Sequence, residues 1–200
     1  MLCAGAAHAA EPVPKQKLEA CLKKAGEYPD MAAADADGWS KHGGGEYARL
    51  CKASAQFNMG EFEEAAGAFR DLAGLHENND SHHAAELYAR AGLAYMRAHD
   101  EKSAEASYGK AVKLEPDDPE FWTDRATGRA EDERYWDAIS DFNRSLALMP
   151  DQSDVLRMRG QAWIKLGNDK NAERDFIAAE QIDQNESSPP LEGGARGGVQ

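Results

Sequence analysis

The sequence predicts an all-α fold in which short antiparallel helix hairpins stack into an α-solenoid. Apolar residues make up 42% of the 200 residues and charged residues 30%, which is typical of a globular chain. Alanine dominates the apolar residues and strand-like alternation is scarce, so close helix packing has to form the core. Small, aromatic and proline residues also recur every 34 residues, and a period of this length indicates stacked repeats.

The first segment, 1–10, is predicted to be the remnant of a signal peptide. Small residues end in Ala7-His8-Ala9 before a charged, proline-containing stretch, as in a signal cleavage region. The basic start and the full apolar stretch of a signal are missing, as they would be if translation began upstream of Met1. The alternative is an alanine-rich terminus without structure. No stretch approaches the ~18 apolar residues that span a bilayer, so membrane insertion is not expected.

Residues 13–44 are predicted to form a degenerate N-terminal hairpin. The stretch 15–24 has the pattern of one helix and 31–41 that of a second, with a turn over 26–30. Three consecutive glycines, 43–45, break the second helix. We interpret this hairpin as a cap on the repeats that follow.

The segment 46–184 is predicted to hold four repeats, 46–80, 85–118, 119–152 and 153–184. An alanine recurs with the 34-residue step, an aromatic residue follows it four positions later, and a proline ends two copies: Ala104, Ala138, Ala172, Tyr108, Phe142, Phe176, Pro116 and Pro150. The first copy is offset by 39 residues, with its five extra residues in the polar stretch 76–81.

Each repeat is predicted to be two helices joined by a turn near Gly60, His99, Glu133 or Gly167. Small residues let two helix backbones approach, and the aromatic residue fills the groove beside them. The aromatic residues in repeat register are therefore expected in the core: Tyr88, Tyr95, Tyr108, Trp122, Phe142, Trp163 and Phe176. One hairpin cannot bury its apolar face alone, so neighbouring hairpins must stack.

This pattern resembles the tetratricopeptide-repeat (TPR) family. The best copy carries the following residues at the family's large, small, aromatic and proline positions: Tyr88, Ala91, Gly92, Tyr95, Ala104, Tyr108, Ala111 and Pro116. The resemblance implies a right-handed α-solenoid and a non-catalytic module that binds a partner peptide or helix in a concave groove. It predicts no cofactor. Residues 186–200, rich in glycine and proline, are predicted to be a disordered tail.

By the same resemblance, the groove is lined by the first helix of each hairpin. The family's partner-binding positions map onto residues of all four repeats: Tyr47, Phe57, Glu86, Leu93, Arg97, Glu120, Thr127, Asp154, Arg157 and Gln161. The N-terminal positions are the more apolar, which suggests a ligand with an apolar anchor followed by a polar segment.

Cys21 and Cys51 form an even pair once the predicted signal remnant is set aside. In an exported protein such a pair is expected to oxidise, and closing a loop of this length stabilises a fold by roughly 3–4 kcal/mol in the chain-entropy model. The alternative is two reduced thiols packed in a cytosolic protein. Together with the signal remnant, the pair favours the periplasm over the cytoplasm.

The charge and the remaining motifs exclude several classes of function. A net charge of −13 repels a nucleic-acid backbone, and we interpret it as a solubility feature, with a basic partner as the alternative. A metal site near His76, His82 and His83 is not expected, because adjacent histidines diverge on a helix and the stretch looks like a solvated turn. Since no nucleophile elbow, Walker loop or zinc-protease motif is present, an enzyme or metalloprotein is the weaker alternative.

Overall fold

The computed structural model describes residues 14–187, and every regular element in that range is an α-helix. The ten helices follow in chain order: α1 Pro14–Glu27, α2 Pro29–Lys41, α3 Gly45–Met59, α4 Phe62–His76, α5 Ser81–Arg97, α6 Glu101–Leu114, α7 Pro119–Glu131, α8 Tyr135–Leu148, α9 Ser153–Lys165 and α10 Asp169–Ser187. The predicted all-α fold is confirmed.

Some predicted boundaries differ from those of the helices. The turn predicted over 26–30 is reduced to Tyr28, because α1 continues to Glu27 and α2 begins at Pro29. Residues 186 and 187, assigned to the tail, are the last two of α10, whereas 188–200 lie outside the described residues. The predicted signal remnant, 1–10, also lies outside them.

The chain divides into two compact units, Met1–Glu115 and Pro116–Gln200. In the first unit each helix from α1 to α6 packs against the next, and α1 also packs against α3. In the second unit α7, α8, α9 and α10 pack in the same consecutive way. Each unit is therefore a stack of antiparallel hairpins.

The turn inside each of the last four hairpins contains one residue in the left-handed backbone region. These residues are Gly60, His99, Glu133 and Gly167, with φ angles of 83°, 57°, 58° and 71°. They are the four turn positions predicted from the sequence. Glycine adopts this conformation without the steric penalty that His99 and Glu133 carry.

The small residues of the repeat lie where helices meet. The alanines at the repeated position are all completely buried: Ala65, Ala104, Ala138 and Ala172. A Cβ atom built on Gly92 would lie 2.8 Å from the Tyr108 ring, and one on Gly160 would lie 2.7 Å from the Phe176 ring. The packing of small against aromatic residues is thus present at the predicted step of 34.

Phe176 departs from its expected core position. Its side chain is 37% exposed, whereas the equivalent Tyr108 and Phe142 are buried. Phe176 lies on α10, and within residues 14–187 no further hairpin follows to cover that helix. The prediction that all repeat-register aromatics are core residues is therefore wrong for Phe176, and Trp122 and Trp163 are only half-buried.

The second unit contains two buried ion pairs that also repeat every 34 residues. Arg125 on α7 donates two hydrogen bonds to Asp141 on α8, at 2.7 and 2.8 Å. Arg159 on α9 donates two to Asp175 on α10, at 2.8 and 2.6 Å. Asp141 and Asp175 are only 3% and 6% exposed. Each pair connects the two helices of one hairpin.

Cys21 and Cys51 connect α1 to α3 in the first unit. Their Cα atoms are 5.9 Å apart and the two sulfur atoms are paired. Around them lies a small core cluster made otherwise of alanines: Ala25, Ala32, Ala36 and Ala55. The structure thus brings together the two cysteines that the sequence paired.

Candidate functional site

In the first unit, a small open pocket lies among α1, α3, α4 and α5. Its lining is mostly apolar, with three polar residues at the edge: Leu18, Tyr47, Leu50, Leu72, Leu87, Glu46, His76 and His83. Leu72 and Leu87 are buried, whereas Tyr47 is 37% exposed. The apolar lining of this pocket is partly open to solvent. An open apolar lining is typical of a site that binds an apolar side chain.

Two helices, α3 and α5, position much of the pocket, and each is the first helix of its hairpin. Tyr47 and Leu50 are one turn apart on α3, and His83 and Leu87 are one turn apart on α5. The Tyr47 ring stacks on Trp39 of α2, with ring centroids 6.4 Å apart and planes 8° from parallel. This contact holds one wall of the pocket in place.

Two histidine–carboxylate contacts lie at the edge of this pocket. Nε2 of His76 is 3.1 Å from a carboxylate oxygen of Glu46, and Nδ1 of His83 is 3.3 Å from one of Glu86. The two imidazole rings meet edge to face, with centroids 4.9 Å apart. The interpretation of this stretch as a solvated turn is therefore wrong for His76, whose side chain is only 17% exposed.

Of the five groove residues predicted in the first unit, Tyr47 lines the pocket. Glu86 contacts it indirectly through His83. Phe57 packs edge to face on Phe62 of α4, and Leu93 and Arg97 are exposed further along α5. The partner-binding role of these five residues stays a prediction.

The sequence reasoning missed Leu18, His76 and His83 as pocket residues. Leu18 lies on α1, in the hairpin with the weakest repeat signal, and His76 ends a second helix of a hairpin. The positions carried over from the family lie on first helices alone. An available signal was the apolar spacing of Leu18 and Cys21 on one face of α1.

In the second unit, an open pocket lies between α7, α8 and α9. It is lined by apolar residues with two opposite charges at its edge: Thr127, Ala130, Glu131, Tyr135, Phe142, Met158, Gln161, Ala162 and Lys165. Thr127 Oγ1 lies 3.6 Å from the sulfur of Met158, so α7 and α9 are in contact here.

Thr127 and Gln161 are the predicted groove residues that line this second pocket. The other three predicted residues of the unit do not line it. Glu120 is exposed on α7, and Asp154 is exposed on α9, where it accepts a hydrogen bond from Arg157 at 3.0 Å. Arg157 also pairs with Asp183 of α10. Because Arg157 is held in ion pairs with Asp154 and Asp183, it is not a free cation that could bind a partner's carboxylate.

Asp124, also on α7, has an unusual environment for a carboxylate. Burial raises its pKa to about 6, and the negative charges of Glu120 and Asp118 act in the same direction. The pKa of Arg90 on α5 is lowered by burial, and its guanidinium lies over the Phe69 ring, 4.3 Å from the centroid. Both groups are structural features of the helix packing that the sequence did not reveal.

Within residues 14–187, no group of three or more His, Cys, Asp or Glu side chains is arranged to hold a metal ion. No helix in the same range is long and apolar enough to cross a membrane.

Comparison with known proteins identifies the repeat. A family model described as tetratricopeptide repeat matches residues 85–118, the same residues that the 34-residue spacing assigns to one copy. Residues 85–118 are therefore a tetratricopeptide repeat. No curated protein matches its sequence.

Solved structures with the same TPR fold extend over most of the chain. MamA (residues 41 to the end) from Desulfovibrio magneticus RS-1 is 17% identical, with a TM-score of 0.71, covering 88% of this chain and 96% of that one. A structure described as MamA protein is 15% identical, with a TM-score of 0.69, covering 89% and 96%. At such identities the similarity shows the fold alone. It confirms the predicted TPR-type α-solenoid.

Proposed function

We propose that this TPR chain is a non-catalytic protein-interaction scaffold that binds a peptide or helix of a partner protein along the first helices of its hairpins. The observation that carries this proposal is the open pocket of the first unit. Leu50, Leu72 and Leu87 give it an apolar interior, and Tyr47 forms an exposed wall. Burying one apolar partner side chain there contributes about 1.5–3 kcal/mol.

The charges around this pocket indicate what flanks the apolar anchor. Glu46 and Glu86 lie beside the two histidines at its edge, and the whole chain carries a net charge of −13. A lysine or arginine next to the anchor would meet these carboxylates and associate faster at low salt. The preferred partner segment therefore combines an apolar side chain with neighbouring basic residues.

The pocket of the second unit supports the same function with a different preference. Phe142 and Met158 provide apolar surface, and Glu131 and Lys165 supply one charge of each sign at the edge. A thioether adapts its shape to different partners more readily than a branched side chain. This pocket therefore suits a second apolar residue flanked by polar groups of either charge.

Peptide selection by phage display on the full chain tests the proposal. Selected peptides are expected to share an apolar anchor with flanking Lys or Arg. Tyr47→Asp places a charge at the pocket wall, so we expect it to weaken binding of a selected peptide at least tenfold in calorimetric titration. Tyr28→Asp is the matched control, because Tyr28 is 56% exposed and does not line the pocket.

Equal loss of affinity in the Tyr47→Asp and Tyr28→Asp variants would contradict the pocket as the binding site. Failure to select any peptide that binds the full chain would contradict the proposed function itself. Circular dichroism of both variants checks that the helices remain folded.

We also propose that the chain works in an oxidising compartment, the bacterial periplasm. The paired Cys21 and Cys51, with Cα atoms 5.9 Å apart, have the separation that a disulfide requires. Fusion of the gene's upstream region and first codons to an export-dependent reporter tests this location. An inactive reporter, together with free thiols in protein isolated from the native cell, would favour a cytoplasmic scaffold instead.

A further inference from the structure

The cysteine pair and the first-unit pocket share the same two helices. On α1, Leu18 lines the pocket and Cys21 lies one turn later; on α3, Leu50 lines the pocket and Cys51 is the next residue. A bond between the two sulfur atoms therefore fixes the wall that α1 contributes to the pocket.

The two sulfur atoms differ in their access to solvent. Cys51 is completely buried, whereas Cys21 is 8% exposed and lines an open cleft. The cleft is formed by residues of α1 and α2 alone: Lys17, Ala20, Cys21, Lys24, Asp35 and Trp39. The cleft therefore gives a thiolate access to Cys21, whereas Cys51 has no exposed surface. Access is one of the factors that decide which sulfur of a disulfide is attacked.

The charge of the cleft suits an anionic nucleophile. It contains the two ammonium groups of Lys17 and Lys24 against the single carboxylate of Asp35. Lys24 pairs with Asp35 at 2.6 Å, and Nζ of Lys17 lies 5.0 Å from the centroid of the Trp39 ring. A cation beside a sulfur atom favours the thiolate over the thiol, and the thiolate is the reactive form.

We propose that the Cys21–Cys51 pair is a thiol–disulfide exchange site that is attacked at Cys21, and that its reduction releases α1 from the wall of the first-unit pocket. The substrate class is a dithiol reductant, either a small molecule or the thiol pair of a reductase. The consequence for partner binding rests on the function proposed above, whereas the exchange and the release of α1 do not.

The exchange balances in two steps. A thiolate of the reductant bonds to Sγ of Cys21, the disulfide bond breaks, and its electron pair leaves on Sγ of Cys51. The Cys51 thiolate takes a proton from water once the release of α1 exposes it. The second thiol of the reductant loses its proton and attacks the reductant's first sulfur, which is bonded to Cys21 in the mixed disulfide. Cys21 leaves as a thiolate, which is then protonated. The reductant becomes a disulfide, and the protein gains two electrons and two protons.

Besides the cysteines, the apolar contacts of α1 in this core are made mainly by small side chains. The core cluster shared by α1, α2 and α3 contains four alanines, and Leu18 of α1 packs against it. A hydrogen bond of 2.9 Å from Asn58 to the carbonyl of Ala25 adds one polar contact. Without the covalent link, the free energy that keeps α1 in place is therefore small, and local opening becomes frequent.

The site of attack is tested on the oxidised full chain carrying Cys3→Ser, so that no third thiol interferes. The chain is exposed briefly to a limiting monothiol, 2-mercaptoethanol, then quenched with acid and alkylated. Peptide mass spectrometry is expected to find the mercaptoethanol adduct on Cys21 and the alkyl group on Cys51, at a ratio of at least ten to one. Equal distribution, or an adduct on Cys51, would overturn attack at Cys21.

The release of α1 is tested by hydrogen exchange of the same protein before and after reduction with dithiothreitol. We expect the protection of α1 amides to fall at least tenfold, with α5 and α6 unchanged. The variant Cys3→Ser/Cys21→Ser/Cys51→Ser is the control, and it should match the reduced protein with or without dithiothreitol. Unchanged protection of α1 on reduction would refute the release.

Neither measurement needs a partner, so the two proposals fail separately. If no selected peptide binds the oxidised chain, the proposed function is wrong, and the exchange data still decide the redox proposal. If a selected peptide that loses affinity on Tyr47→Asp binds oxidised and reduced protein equally, the pocket is a binding site but the disulfide does not control it.

Discussion

Asp141 is the buried carboxylate whose removal should destabilise the second unit most. It accepts two hydrogen bonds from Arg125, at 2.7 and 2.8 Å, and one from Arg129 at 2.7 Å. Its side chain is 4% exposed, and those of both arginines are 15% exposed. Asp141→Ala leaves the Arg125 guanidinium without the carboxylate that accepts both of these bonds, in a place that water reaches poorly.

The expected loss follows from that burial. Removing one partner of a buried, hydrogen-bonded ion pair costs about 3–5 kcal/mol, because the remaining charge is desolvated without compensation. Partial exposure of the arginines favours the lower half of that range. Asp137→Ala is the matched control on the same helix, since the Arg134–Asp137 pair is 38% and 54% exposed and such pairs contribute about 0–1 kcal/mol.

Urea unfolding followed by circular dichroism measures both variants. We expect the midpoint of Asp141→Ala to fall well below that of Asp137→Ala with similar m-values. Stacked repeats need not unfold in one step, so hydrogen exchange of α7 and α8 provides a local measurement of the same loss. A loss below about 1 kcal/mol for Asp141→Ala, or equal losses for the two variants, would refute the assignment of Asp141 as the ionic centre of its hairpin.

Three further predictions use the same unfolding assay. Gly92→Ala should destabilise the chain by about 1–3 kcal/mol, because the new Cβ would lie 2.8 Å from the buried Tyr108 ring. Gly109→Ala, where nothing lies within 4 Å, should instead stabilise by about 0.5–1 kcal/mol, and the same sign for both would contradict the packing. Asp124, with its pKa raised to about 6, binds a proton more readily in the folded state, so it removes stability as the pH rises from about 4 to 6. Asp124→Asn should therefore stabilise the protein at pH 7 by on the order of 1–3 kcal/mol and by little below pH 4; a pH-independent difference would exclude that cause. His99→Gly should stabilise by about 1 kcal/mol, because His99 has φ 57°, and destabilisation would show that the His99 side chain contributes more than the strain removes.

The fold was largely predictable because side-chain size recurs with the repeat. Ala104, Ala138 and Ala172 occupy equivalent buried positions, and the turns at Gly60 and Gly167 lie where the sequence placed them. Because each hairpin packs against a neighbour with the same residue pattern, the 34-residue period of the sequence produces a stack of hairpins.

The candidate site was less predictable, because a pocket depends on which side chains from different helices meet. The family positions include Tyr47, which lines the pocket, but Leu18 and His76 belong to helices that the groove pattern does not include. The pairing of Arg125 with Asp141 was also missed, although Arg159 and Asp175 repeat the same residues 34 positions later. That recurrence of charge is present in the sequence beside the recurrence of side-chain size.

The positions equivalent to these ion pairs in the first unit are apolar or neutral. Ala91 and Ser107 take the places of Arg125 and Asp141, and the buried carboxylates among residues 14–187, Asp141 and Asp175, both lie in the second unit. Hydrophobic burial weakens on cooling, whereas the penalty for desolvating charges falls on heating. The two halves of the chain should therefore respond differently to temperature, the N-terminal half loosening first in the cold and the C-terminal half keeping more of its order when warmed.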